Sequence, residues 1–140
     1  MTKTAVGLVG GAALLVAGLV GCSSTPSAPK VTVDGQSKNV QGMAVCKPIR
    51  GGQGFEVSIA TDKAPRDVSV ELAKDASAVW FVTIGHFQGN TELHWLEHVT
   101  TYGNVSATKD GNDYKVTGNI APANGASSNT YPFEIDFSCP

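Results

Sequence analysis

The sharpest chemical pattern in the sequence is H-x-x-E-H, formed by His94, Glu97 and His98. On a helix, this spacing places both imidazoles on one face, where they bind zinc while the carboxylate acts as a general base. The flanking Thr and Gly residues are poor helix formers, and on a strand Glu97 would point away from the two His side chains. We therefore expect no metal site, and a zinc metallohydrolase is the least favoured of the three functions that the sequence suggests. Adventitious binding of zinc or copper by His94 and His98 stays open.

Other catalytic patterns are missing from the sequence. It contains no G-x-S-x-G nucleophile turn, no phosphate-binding Walker loop and no G-x-G-x-x-G between a strand and a helix. The glycine-rich run 51–54 lies between two predicted strands, where we expect a plain loop. Asp62, Asp67, Asp110 and Asp113 lie in turn-like or solvated stretches, where Asp serves backbone geometry more than acid–base chemistry. The sequence thus predicts a protein that is not an enzyme and has neither catalytic residues nor a bound cofactor.

Cys22, the first of three cysteines, follows an N-terminal export signal. Lys3 provides the positive region, and the apolar run 5–20 is too short to span a bilayer as a helix. Leu19-Val20-Gly21-Cys22 resembles the lipobox that the lipoprotein signal peptidase recognises. We predict that the signal peptide 1–21 is removed and that Cys22 carries a covalent diacylglyceryl and N-acyl lipid, with palmitate as an acyl chain. The alternative, an unmodified Cys22 in an uncleaved anchor, leaves an unpaired thiol in an oxidising compartment.

This lipid would tether the exported protein to the outer side of the cell membrane. Each buried methylene contributes about 0.8 kcal/mol, and two or more acyl chains form a stable anchor where one chain binds only marginally. Loss of the signal removes Lys3 and no acid, so the remaining chain is more acidic than the formal charge of −2 for all 140 residues. Such a composition argues against nucleic acid as a partner, because nucleic-acid binding needs clustered Lys and Arg.

The two remaining cysteines, Cys46 and Cys139, form an even pair in an exported protein, and we predict a disulfide between them. A pair of metal ligands is the alternative, although no C-x-x-C spacing accompanies them.

The segment 22–29 is a linker rich in Ser, Thr and Pro, with almost nothing to bury, and we expect a disordered stalk. Residues 30–140 then form a single domain. The linker hydroxyls are candidates for O-glycosylation on composition alone, at Ser23, Ser24, Thr25 and Ser27.

From residue 30 onward, apolar residues alternate with polar ones, which is typical of half-buried β-strands. The strongest example is a hairpin around Asp110-Gly111. A second hairpin is expected at Asp34-Gly35, with 40–46 returning beside 31–33. Many short strands separated by Gly, Pro and Asn predict an all-β fold, an antiparallel β-sandwich of about seven to eight strands. A short helix is the alternative structure within 66–78.

Trp80 and Phe81 lie in an almost continuous apolar run, 79–84, which predicts a strand covered on both faces. Together with Trp95, these rings fit either the core of a sandwich or a pocket for a hydrophobic ligand such as a lipid or glycolipid. Phe87 is expected at a hairpin tip, where an exposed ring could contact a partner or a membrane surface.

Sequence blocks that carry a family resemblance are spread over nearly the whole chain after residue 21. These blocks are Cys22-Ser-Ser, Lys30-Val-Thr-Val-Asp-Gly-Gln36, Asn104-Val-Ser-Ala-Thr-Lys-Asp-Gly111, Tyr114-Lys-Val-Thr-Gly118 and Phe133-Glu-Ile-Asp136. On them, the chain resembles the mycobacterial LpqH-type lipoproteins, known as the 19-kilodalton lipoprotein antigen family.

This resemblance implies a cell-envelope lipoprotein antigen without known enzymatic activity, which host innate receptors recognise mainly through its acylated N-terminus. It also implies that Cys22 carries the lipid and that Cys46 and Cys139 match the family's cysteine pair. The chain departs from the family in its short linker and in the aromatic and His content of 80–98. Our leading expectation is therefore a non-enzymatic surface lipoprotein, and the second is a carrier or binding module for a hydrophobic ligand.

Overall fold

The computed structural model describes residues 25–99, 103–125 and 128–140. Its regular structure within these residues is almost entirely strand, with one 3-10 turn at Arg50–Gly52. The strands are β1 (Lys30–Val33), β2 (Gln36–Ser37), β3 (Val40–Ile49), β4 (Gly54–Thr61), β5 (Val68–Ala73), β6 (Val79–Phe87), β7 (Thr91–Leu96), β8 (Val105–Asp110), β9 (Asp113–Pro122) and β10 (Tyr131–Ser138). Over the same described ranges, we find no helix long and apolar enough to cross a membrane.

All strand pairs are antiparallel, and they form one continuous sheet in the order β2-β1-β10-β9-β7-β6-β5-β4-β3. The prediction of an antiparallel all-β fold is confirmed. The sandwich is not confirmed, because the pairs Leu93 with Pro122 and His94 with Ala121 connect β7 to β9 and join the two halves of the sheet. The sheet curls into a half-barrel instead of separating into two stacked layers.

Strand β9 is shared between two neighbours on the same side, β8 beside its first part and β7 beside its last residues. Gly118 lies at the point where the neighbour changes. A Cβ atom at this position would collide with the carbonyl oxygen of Asn104, so the close approach of the two chains requires glycine.

The described residues form ten strands, more than the seven to eight predicted, and the suggested helix within 66–78 is wrong. That segment contains β5, whose Val68, Val70 and Leu72 are fully buried while Ser69 and Glu71 are partly exposed. Alternation with period two places one row of side chains in the core, and a helix would scatter the same residues around its axis.

The hairpin around Asp110-Gly111 is confirmed, with Asp110 paired to Asp113 across a two-residue turn. At the other predicted hairpin, Asp34 and Gly35 both have positive φ values, 50° and 74°, as a two-residue turn of this kind requires.

The strand that returns from this turn is only β2, two residues long. The expected pairing of β1 with β3 is wrong, because β1 pairs with β10 and β3 pairs with β4. The first and last long strands of the domain are therefore neighbours in the sheet.

The buried apolar side chains form one cluster inside the curl. It contains Val31, Val33, Phe55, Val57, Ile59, Val68, Val70, Leu72, Val79, Val82, Ile84, Leu93, Trp95, Tyr114, Val116, Ile120, Phe133, Ile135 and Phe137. Tyr114 stacks on Phe137, with ring centroids 5.4 Å apart, and meets the edge of Phe55 at 6.3 Å. Phe55 and Tyr114 come from strands that are not neighbours in the sheet, so their contact holds the curl closed.

Antiparallel strands place their connections alternately at two ends of the sheet. The proximal end carries the start of β1 at Lys30, the turn Arg50–Gly52, the loop 74–78, the turn 111–112 and the C-terminus. The distal end carries the turn Asp34–Gly35, the link 38–39, the loop 62–67 and the tip 88–90.

Candidate functional site

Part of the predicted lipid-attachment and glycosylation set lies outside the described residues. This holds for the signal peptide 1–21, for Cys22, and for Ser23 and Ser24. Thr25 and Ser27, the other two candidates for glycosylation, are exposed and have no regular secondary structure.

The chain between Thr25 and Pro29 meets the domain at the proximal end. The hydroxyl oxygen of Ser27 lies 3.5 Å from that of Ser138, and Pro29 is buried immediately before β1 begins. Whatever is attached to the chain upstream of residue 25 is therefore connected to this end of the sheet.

Cys46 and Cys139 are joined by a disulfide, as predicted, with their Cα atoms 5.7 Å apart and a separation of 93 positions in the sequence. Cys46 lies on β3, at one margin of the sheet, and Cys139 follows β10. In the chain-entropy model, a cross-link over a loop of this length stabilises the folded state by about 4–5 kcal/mol. The bond clamps the two halves of the sheet together near the proximal end.

The H-x-x-E-H residues do not form a common site. His94 lies on β7, where its Nε2 contacts the Glu92 carboxylate. His98 follows the end of β7 with a positive φ of 69°, and its 88% exposed side chain lies 3.8 Å from the carboxylate of Glu97. Across the described residues, no three His, Cys, Asp or Glu side chains lie close enough together to hold a metal ion. The zinc alternative therefore has no geometric support.

The aromatic residues near β6 have different environments. Trp95 is a core residue, buried to 8% exposure, and its indole N–H donates to the carbonyl of Gly103 at 2.9 Å. Trp80 and Phe81 are only partly buried, so the prediction of a strand covered on both faces is only half right. The Arg50 guanidinium covers the Trp80 ring at 4.0 Å from its centroid, and Trp80 borders an open hollow of about 620 Å³.

The distal end contains a buried ionic cluster that was not predicted from the sequence, and we call it the Asp67 network. Its members are Asp67, Lys38, His86 and Thr61. The Asp67 side chain is 1% exposed, and its carboxylate lies 2.6 Å from His86 Nδ1 and 3.1 Å from Lys38 Nζ. The Thr61 hydroxyl donates to the same carboxylate at 2.9 Å. Every charged or polar partner is thus supplied by a different segment of the distal end.

Backbone contacts complete this network. Lys38 Nζ donates to the carbonyl of Gly85 at 2.8 Å, and the Gly85 N–H donates to the carbonyl of Asp67 at 2.7 Å. A Cβ on residue 85 would collide with the Asp67 carboxylate, so glycine is required for the carboxylate to lie against the strand. The network therefore connects the link before β3, the loop before β5 and the end of β6.

The pKa of Asp67 reflects a competition between burial and hydrogen bonding. Burial on its own raises this pKa, but hydrogen bonds with His86, Lys38 and Thr61, together with the charge of Lys38, outweigh burial and lower it. The carboxylate is therefore ionised at neutral pH, and its charge is compensated locally.

Asp67 lies in a turn-like segment, as expected, but it is buried and not solvated. Asp67 directly precedes the apolar alternation of β5, and that pattern contains no signal that the carboxylate turns inward. His86 lies 19 positions away, in a segment whose glycines indicate only a turn. Only the strand pairing brings the charged partners together.

Comparison with known proteins identifies the family. The family model described as the Mycobacterium 19 kDa lipoprotein antigen matches residues 4–139. Lipoprotein LpqH of Mycobacterium tuberculosis and Lipoprotein LpqH of Mycobacterium bovis are each 35% identical to the chain, over 94% of the chain and 94% of their own length. Lipoprotein LpqH of Mycobacterium avium is 36% identical over 79% of the chain and 67% of its own length.

The family match at residues 4–139 includes all ten strands. None of these relatives has an enzymatic name, and the family is one of lipoprotein antigens and not of enzymes. The chain belongs to the mycobacterial 19 kDa lipoprotein antigen family.

Proposed function

We propose that this protein is a non-enzymatic cell-envelope lipoprotein, exported, cleaved before Cys22 and held on the outer side of the membrane by acyl chains on that cysteine. The observation that carries the proposal is the family match over residues 4–139, which includes the apolar export segment and Cys22 as well as the domain. The covalent lipid is the only non-protein group that this function requires.

The fold places the point of attachment to the membrane at the proximal end. Seven residue steps separate Cys22 from the buried Pro29 (29 − 22 = 7), and an extended chain of that length reaches about 25 Å. Lipid on Cys22 would therefore hold the proximal end close to the bilayer and leave the distal end facing away from it. The segment 22–29 serves as the linker, and 30–140 forms the displayed domain.

We further propose that host innate receptors sense the acylated N-terminus, while the domain is the protein antigen. Acyl chains are the largest apolar groups that the chain would carry, and burying them in a receptor contributes about 0.8 kcal/mol per methylene. Glycosylation at Ser23, Ser24, Thr25 or Ser27 would add bulky polar groups to the linker between the lipid and the domain.

The anchor is tested by replacing Cys22 with Ala in the native host. We expect the Cys22→Ala protein to carry no acyl mass and to lose activation of receptor-reporter cells. The control is the Cys46→Ser, Cys139→Ser double variant, which loses the disulfide and keeps the lipid; it should remain with the membrane and still activate the reporter. Acyl mass on the Cys22→Ala protein, or full activation of the reporter cells by it, would contradict the proposal.

A second candidate function is that of a carrier for a hydrophobic ligand such as a lipid or glycolipid. The hollow of about 620 Å³ beside the partly buried Trp80 favours it, because half-exposed aromatic rings line many ligand sites. Lys74, Asp75 and Lys109 also border this hollow, which suits a ligand with a polar head. Mass spectrometry of the detergent-free domain should find a bound lipid, and repeated absence of one would remove this candidate.

A further inference from the structure

The hollow of about 430 Å³ at the distal end, which we call the distal pocket, is a second and separate site. We propose that it binds a small neutral ligand rich in hydroxyl groups, that is, a carbohydrate. Its walls come from the turn after β1, the link before β3, the loop after β4 and the tip of β6, with Asp34, Asp62, Lys63, His86, Phe87 and Gln88 among its lining residues. The volume falls in the range of about 300–1,000 Å³ typical of small-molecule sites.

The Asp67 network lies next to the distal pocket and holds part of its lining in place. Lys38 and His86 belong to the network and also line the pocket. Because His86 Nδ1 is held by the Asp67 carboxylate at 2.6 Å, the orientation of the imidazole is fixed. Its other nitrogen, Nε2, is left for a ligand on a side chain that is 35% exposed. A buried charged residue thus holds a pocket-lining group in one position before any ligand binds.

The backbone has positive φ values at three residues that line the pocket. Asp34, His86 and Gln88 have φ values of 50°, 50° and 45°, in the left-handed region that residues other than glycine rarely occupy. Asp34 and Gln88 belong to turns in which a glycine with positive φ follows, and such turns require this conformation. His86 adopts it outside a turn, at the irregular end of β6, where the surrounding structure must impose it.

The charges of the pocket select a neutral ligand. The ammonium of Lys38 is already compensated by Asp67, and the other ionisable residues of the lining are Lys63, His86, Asp34 and Asp62. An anion would meet two carboxylates, and a metal ion would lack a group of three suitable side chains among the described residues. A neutral group that both donates and accepts hydrogen bonds satisfies carboxylate, amide and imidazole partners together, and hydroxyl groups have this property.

The pocket also offers an apolar wall. Phe87 is partly buried, and its ring packs against Tyr131 with the centroids 4.5 Å apart. Val33, at the end of β1, contributes aliphatic surface. The ring of a sugar has an apolar C–H face and a polar rim of hydroxyls, and it therefore matches a pocket with one aromatic wall and polar groups around it.

This inference does not depend on the lipid, because the pocket is formed entirely by the domain. It lies at the end of the sheet opposite the segment 25–29, so a chain anchored through Cys22 would present it away from the membrane.

The test is a titration of the ¹⁵N-labelled chain from residue 22 onward, with Cys22→Ala, followed by amide chemical shifts. The neutral probes are D-glucose, D-mannose, D-galactose, D-arabinose and trehalose, and D-glucose 6-phosphate is the charged counterpart. We expect at least one neutral sugar to shift the amides of Asp34, His86 and Gln88 in a saturable way, and the phosphate ester to bind more weakly than glucose. Absence of saturable shifts with all five neutral sugars, or binding of the phosphate ester alone, would overturn the proposal.

Variants locate the binding in the pocket. Asp34→Asn keeps a side chain that tolerates the left-handed backbone and removes the charged acceptor, and Asp62→Asn removes the second lining carboxylate. Each should weaken binding of the best sugar about tenfold or more, since hydrogen bonds to charged groups contribute about 1.5–3 kcal/mol. Asp110→Asn, an equal change at an exposed turn of the proximal end, is the control. Equal affinity in all three variants would show that the sugar binds elsewhere.

Discussion

The two ends of this curled sheet are held together by different interactions. At the proximal end, a disulfide joins Cys46 to Cys139, and Tyr114 stacks on Phe137 at 5.4 Å. At the distal end, the Asp67 carboxylate gathers Lys38, His86 and Thr61 in a buried ionic network, and no disulfide is present among the described residues of that end. The proximal end thus has a covalent cross-link beside its apolar packing, whereas the distal end has a buried ionic network.

This difference corresponds to different demands on the two ends. The proximal end continues into the segment that would carry the lipid, and covalent and apolar contacts keep it folded irrespective of ionic conditions. The distal end carries a pocket whose polar lining must be oriented, and buried charges with several hydrogen bonds give orientation more than net stability. We therefore predict that reduction of the disulfide destabilises the proximal end and that acidification destabilises the distal end.

The largest effect is expected from removal of the disulfide. The Cys46→Ser, Cys139→Ser variant should lose about 4–5 kcal/mol of unfolding free energy, because the open chain gains entropy in the unfolded state. Denaturant unfolding with and without reductant measures this loss. Reductant should destabilise the native protein by a similar amount and leave the double variant unchanged, and equal unfolding midpoints in all samples would show that the proximal clamp contributes nothing.

The second largest loss of unfolding free energy is expected at the distal end. Asp67→Ala leaves the Lys38 ammonium without its partner, and since that side chain is only 14% exposed, we expect a loss of about 3 kcal/mol. Asp62→Ala, in the same loop but exposed, is the matched control and should change unfolding free energy by no more than about 0.5 kcal/mol. Both are measured by urea unfolding at neutral pH, and comparable losses in the two variants would contradict a special role of Asp67.

The pH dependence of the unfolding free energy should further distinguish the distal end from the proximal end. The pKa of Asp67 is lower in the folded protein than its ordinary value of 3.8, so the unfolded chain binds the proton first. The stability from this group is complete above about pH 4 and is lost as the pH falls below that value through the folded pKa. Unfolding curves from pH 6 down to pH 2 should therefore fall more steeply for the native protein than for Asp67→Asn. Parallel pH profiles would show that the network does not couple protonation to folding.

The smallest predicted effect lies at the proximal end. The Tyr114 hydroxyl donates to the Lys74 carbonyl at 2.6 Å and connects the β8–β9 hairpin to the loop after β5. Tyr114→Phe keeps the stacked ring and should cost about 0.5–1.5 kcal/mol, with no change in the pH profile. Thermal unfolding at two pH values measures the loss of stability and its pH dependence. A loss of stability that grows on acidification would contradict the assignment of Tyr114 to the proximal contacts.

The local features of the fold could be predicted from the sequence. The alternation of apolar and polar residues and the Asp110-Gly111 turn were enough to predict the β8–β9 hairpin, because its two strands are consecutive in the sequence. Cysteine counting in an exported chain was enough to predict the Cys46–Cys139 bond. The hairpin depends on local geometry, and the disulfide follows from an even number of cysteines.

Long-range pairing could not be predicted in the same way. The sequence contains no signal that β1 pairs with β10, or that β7 and β9 join the two halves of the sheet. The burial of Asp67 follows from those pairings, since His86 and Lys38 approach it only after the strands are assembled. The distal pocket was missed for the same reason, because its walls are distant in sequence and each one alone resembles a solvated turn.

The intact mass of the protein extracted from its native envelope, before and after reduction, tests the lipid tether and the proximal disulfide together. We expect a chain that begins at Cys22, carries the added mass of acyl chains and gains two hydrogen atoms on reduction of Cys46–Cys139. Hexose additions would appear in the same spectrum if the linker is glycosylated. A chain that keeps residues 1–21, or one that starts at Cys22 without acyl mass, would contradict the lipid tether.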